Sequence, residues 1–208
     1  MHLNSKTPLL VNQAAYLLKN YDAHASVLRR LLLKAATLMP EPAVGFVLEN
    51  VRNEYGNGNY ANNHQNQLQD VVWQLGITPV QYAAIPVMPP IKLFIREATR
   101  YYYPPCGSLP AGLNRAAVVA GAITATELLA IEEFKALQRA FTHFGLEHHI
   151  WFHHVMIEEE HSDESVALAV HFIEKYGAQG AVEYGLNGVL DANVHLYDGL
   201  LQAIFCGT

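Results

Sequence analysis

Apolar residues recur three and four positions apart through almost the whole chain, and that period restricts it to packed α-helices. Between residues 8 and 38, Leu10, Ala14, Leu17, Leu18, Leu28, Leu31 and Leu32 follow it. Met39-Pro40-Glu41-Pro42 breaks the segment, because proline lacks an N–H and disfavours helix before it. The same reading predicts helices over 43–55, ended by Gly56-Asn57-Gly58, and over 60–75. Residues 76–90 are interrupted by prolines, a further helix covers 90–103, and Pro104-Pro105-Cys106-Gly107 breaks the chain again. A long helix over 111–143 stops at Gly145, another over 147–176 stops at Gly177, and the last runs over 178–205 with glycines inside it. Alternating strand patterns are nearly absent. The expectation is one all-α domain over 1–208, a bundle of about seven helices.

Composition narrows the function classes. With 208 residues, 51% apolar and 15% charged, the chain has the make-up of a globular domain. A net charge of −6 is the wrong sign for a nucleic-acid footprint. Two cysteines, Cys106 and Cys206, exclude a disulfide scaffold or a cysteine-rich zinc site. No apolar run reaches 18 residues, and 116–126 comes nearest. With no targeting segment in the sequence, the expectation is a cytoplasmic protein that acts on a small molecule, without nucleic-acid or membrane partners.

Seven of the eleven histidines fall between His143 and His171. Metal binding, a pH-sensitive surface and chance are all open readings of that cluster. A sharper signal is the ionisable residue that interrupts an apolar stripe, since burying such a group is costly unless it is paired or bound to a metal. Glu54 continues the stripe Val44, Val47, Val51, and His64 shares a face with Ala61, Leu68, Val71 and Leu75. Glu127 lies among Ala120, Thr124, Ile131 and Phe134. His154, Glu158 and His161 are spaced four and three apart, an arc of about 60° on one helix, and Trp151, Leu168 and Phe172 extend that face.

Singly, each has a plain explanation: a core histidine with a hydrogen bond, or a buried glutamate with a salt bridge. Glu132 with Lys135 and Glu49 with Arg52 read as solvated pairs. Together, three carboxylates and three imidazoles on four helices of one bundle offset each other's burial by sharing cations. Imidazole and carboxylate without thiolate suit iron, manganese or zinc. Six ligands exceed a closed tetrahedral zinc site and match two metals with open positions, with iron as first choice.

These residues resemble the haem-oxygenase-like diiron oxidase family, closest to its branch around the chlamydial protein associating with death domains. That family carries a Glu, a His after a short glycine-containing gap, a lone mid-chain Glu, and a His-x3-Asp-x2-His helix. Here these read Asn53-Glu54-Tyr55-Gly56-Asn57-Gly58 with His64, then Glu127, then His154-x3-Glu158-x2-His161. Glu158 stands where the family has Asp, one methylene longer. Some members add a Glu from the first helix, where this chain has only Asp22, which is not assigned. The resemblance implies a haem-oxygenase-like (TenA-like) fold holding two Fe ions, with Mn or mixed occupancy as the variant, and O2 as co-substrate. It further implies oxidation of an amino-acid-like or fatty-acid-like molecule, and a homodimer.

Arg100 and Tyr101, heading Tyr101-Tyr102-Tyr103, are the candidates for substrate contact, with Arg100 pairing a carboxylate. An ordinary helix end with packed tyrosines is the competing reading. Three other functions compete with the oxidase. Haem binding would use His24 as axial ligand, and a thiaminase-like hydrolase needs a nucleophile from Cys106 or Cys206. An interaction protein would carry a vestigial metal site.

Overall fold

The computed structural model describes residues 8–207, the side chains of residues 154–161 excepted. Among the described residues there are eight α-helices and no strand: α1 Val11–Ala36, α2 Glu41–Glu54, α3 His64–Gln74, α4 Pro79–Ala84, α5 Pro89–Tyr102, α6 Arg115–Phe141, α7 His154–Tyr176 and α8 Gln179–Cys206. Short 3-10 turns cover Tyr60–Asn62, Thr142–Phe144 and Ile150–His153. The count exceeds the expected seven because a helix forms inside the proline-rich stretch. There Thr78 accepts from the Gln81 N–H, Gln81 bonds back to the Thr78 N–H, and Pro79 fits the first helical position. No described helix is long and apolar enough to cross a membrane.

The start of α7 also differs from expectation. Residues 147–153 form turns, with Trp151 and Phe152 buried and the Trp151 N–H donated to the His149 ring instead of to a helical carbonyl. Histidines of the rich segment have separate roles: His149 bonds Asp70 at 2.9 Å, His143 bonds the Leu9 carbonyl at 2.8 Å, and His171 packs against Phe172 and Tyr176. These three do not form one cluster.

Helix α6 is central, and every residue from Ala116 to Ala125 is buried. It packs on α8 so closely that a Cβ at Gly121 would strike the Val182 carbonyl, and one at Gly185 would strike that of Val118. Gly188 likewise leaves room for the Tyr101 ring. The glycines of α8, unfavourable by propensity, are thus needed for backbone approach. On the other side, the Thr124 hydroxyl donates to the Ser165 carbonyl at 2.9 Å and ties α6 to α7 one turn from Glu127. Helices α1, α5 and α8 pack together, and α2 and α3 lie against α1. The space left between α1, α3, α6 and the ends of α2 and α5 holds the site.

Candidate metal centre

Glu54 is the last residue of α2 and His64 the first of α3. The turn between them depends on Gly56, whose φ of 79° and contact with the Asn59 carbonyl leave no room for a Cβ. Asn63 then caps α3 by accepting from the Asn66 N–H at 2.8 Å. This reversal brings His64 Nδ1 to 2.9 Å from Glu54 Oε1. An ionised Glu54 only accepts, so in this contact Nδ1 is the donor, and Nε2 is the ring nitrogen that could face a metal.

Glu127 reaches the same cavity from α6 and is 6% exposed. Its Oε1 accepts from Asn50 Nδ2 at 2.7 Å, from a residue one helical turn before Glu54 on α2. The cavity, about 100 Å³, is lined by Glu54, His64 and Glu127, with Asp22, His24 and Arg29 from α1 and Glu133 from α6. Apolar walls come from Leu28, Leu32, Leu68, Phe134 and Trp151.

Several lining groups are electrostatically unusual. Burial pushes His24 down from 6.5 to about 3, so its imidazole is neutral, and neither ring nitrogen has a hydrogen-bond partner among the described residues. It touches Tyr21 and Phe94 edge-on. Burial pushes the Glu133 carboxyl up, while hydroxyls of Tyr197 (2.8 Å) and Tyr21 act the other way. Tyr102 donates to Thr126 at 2.7 Å and is held protonated, first by burial and then by the negative charges of Glu127 and Glu54. Asp22 accepts from the Tyr82 hydroxyl at 2.9 Å.

Three of the six sequence-predicted ligands, Glu54, His64 and Glu127, therefore line one cavity. His154, Glu158 and His161 lie outside the described residues. Among the described residues no three His, Cys, Asp or Glu side chains gather tightly enough to hold an ion by themselves. The donor types present, two carboxylates and a histidine, suit iron, manganese or zinc. Four buried or half-buried carboxylates share this lining with one guanidinium, an imbalance that bound cations would offset.

Arg100 and Tyr101 do not line this cavity. Arg100 is exposed and paired to Glu97 at 2.7 Å, and Tyr101 packs over Gly188 beside Tyr184. Their neighbour Tyr102 is the one that reaches the site, because successive helical residues point about 100° apart. Cys106 and Cys206 are exposed and also lie outside the lining, which removes the hydrolase nucleophile from the pocket. Sequence reasoning passed over Asn50, Arg29 and Glu133. Asn50 carried a signal, its position three after Val47 and four before Glu54 on the same stripe.

The profile of a family described as iron-containing redox enzymes matches residues 8–184, from the residues just before α1 into the first turns of α8. No curated protein matches the sequence.

Proposed function

We propose, from the premise that the chain belongs to the iron-containing redox enzyme family, that it is an O2-dependent oxidase or oxygenase with two iron ions in this cavity. Its substrate in this reading is a small amino-acid-like or fatty-acid-like molecule. The observation that carries the reading is the convergence of Glu54, His64 and Glu127, from three helices, on one cavity. His154, Glu158 and His161 complete the proposed ligand set.

Iron bound by these groups supplies the electrons and open coordination positions that O2 activation requires. The remaining work belongs to the chain. Asn50 holds the Glu127 carboxylate by its Oε1, and the Glu54 carboxylate fixes the His64 tautomer. Tyr102, held by Thr126, stays a hydrogen-bond donor next to these carboxylates. Leu28, Leu68, Phe134 and Trp151 keep water from the reacting atoms. Glu133, whose carboxyl burial pushes up while the Tyr197 hydroxyl acts the other way, is held in the cavity wall by that hydroxyl.

The test is O2 uptake after anaerobic Fe(II) loading, read by an oxygen electrode together with absorbance. The reading expects rapid uptake with a transient absorption band in the wild type and neither in Glu127→Ala. Uptake no faster than that of free Fe(II), or equal uptake in the variant, refutes it.

A further inference from the structure

Arg29 is a buried guanidinium, 8% exposed, that lines the cavity. Burying a permanent charge is costly without a counter-charge, yet Arg29 forms no ion pair among the described residues. Each cavity carboxylate has its own donor instead: Asp22 has Tyr82, Glu54 has His64, Glu127 has Asn50 and Glu133 has Tyr197. The guanidinium is nonetheless fixed in place. Nη2 donates to Gln65 Oε1 at 2.8 Å, and the Tyr55 ring lies 5.0 Å from Cζ. Nε is buried and has no hydrogen-bond partner among the described residues.

We infer that Arg29 is a specificity-determining residue, and that it receives the carboxylate of a substrate whose small apolar or aromatic body lies against Leu28, Leu32 and Leu68. This inference rests on the reading of the cavity as the place where substrate is oxidised. Arginine suits the role because its planar donors match a carboxylate edge, and because Gln65 and Tyr55 have already ordered it before the ligand arrives. No other permanent cation is among the described lining residues, and His24 is neutral there. The cavity therefore offers an incoming anion one protein cation, at the end where α1 meets α3 and the close of α2.

Calorimetric titration of the full, iron-free chain tests this, with benzoate and hexanoate as probes against benzamide and hexanamide. Iron is left out so that a carboxylate cannot gain affinity by binding metal. In the wild type each acid should bind at least about tenfold tighter than its amide. Arg29→Gln should erase that preference, and Arg29→Lys should keep part of it by retaining the charge. Equal affinity for acid and amide in the wild type overturns the inference, as does no acid binding by about 10 mM. An undiminished preference in Arg29→Gln overturns it too. If Arg29→Gln does not fold, the wild-type comparison decides alone. A chain that selects acids but takes up no iron would refute the oxidase reading and leave only the carboxylate site at Arg29. Iron uptake without acid selection would do the reverse.

Discussion

Replacing His24 by phenylalanine should make the iron-free protein more resistant to acid. In the folded chain burial pushes the imidazole down to about 3, against 6.5 for an exposed one. Between those values the unfolded chain binds a proton at His24 and the folded chain does not. Stability must then fall as pH drops through 6.5 toward 3. Each unit below 6.5 costs about 1.4 kcal/mol, so His24 should cost roughly 2.5 kcal/mol by pH 4.5. Phenylalanine keeps the edge contacts with Tyr21 and Phe94 and removes no hydrogen bond among the described residues, since neither His24 nitrogen makes one there. The assay is urea unfolding by circular dichroism at pH 7.5, 6.5, 5.5 and 4.5, with chelator present. Other titrating groups are common to both proteins and cancel in the difference. That difference should grow in favour of His24→Phe by about 2.5 kcal/mol over the series. Parallel stability curves would refute the placement of His24 as a buried neutral group.

Two other perturbations probe the site and its frame. Asn50→Ala removes the donor that holds Glu127, so iron affinity should fall by about 10- to 100-fold with helix content intact, as read by equilibrium dialysis. Gly185→Ala puts a methyl group into the Val118 carbonyl and should destabilise by about 3 kcal/mol or more, whereas Gly180→Ala, in the first turn of α8, meets nothing and should stabilise by a smaller amount, up to about 0.5 kcal/mol. Thermal melts of the pair give opposite signs if α6 and α8 are packed as described.

The fold was legible where proline and glycine punctuate a helical period. Met39-Pro40, Gly56-Asn57-Gly58 and Pro104-Pro105 do mark helix ends. What escaped was local competition. In α4 a capping pair overrides the proline signal, and before α7 a histidine ring takes a backbone N–H that a helix would have used. The glycines of α8 looked like weak helix and are contact points, since a close approach between helices leaves no periodic trace. In the site, Glu54, His64 and Glu127 were legible because each interrupts an apolar stripe. Arg29 and Glu133 were not, since each neighbours another residue of its own charge and such pairs resemble a solvated face. Choosing Arg100 and Tyr101 over Tyr102 was a matter of rotation by one residue at the end of α5.

Iron content after anaerobic Fe(II) loading and removal of free metal tests the central claim most directly. It should be measured by elemental analysis on the wild type and on Glu127→Ala and His64→Ala. The account predicts close to two irons per chain in the wild type and a clear loss in both variants, with helix content unchanged. Wild-type protein without tightly held iron, or variants that keep the full complement, would contradict it.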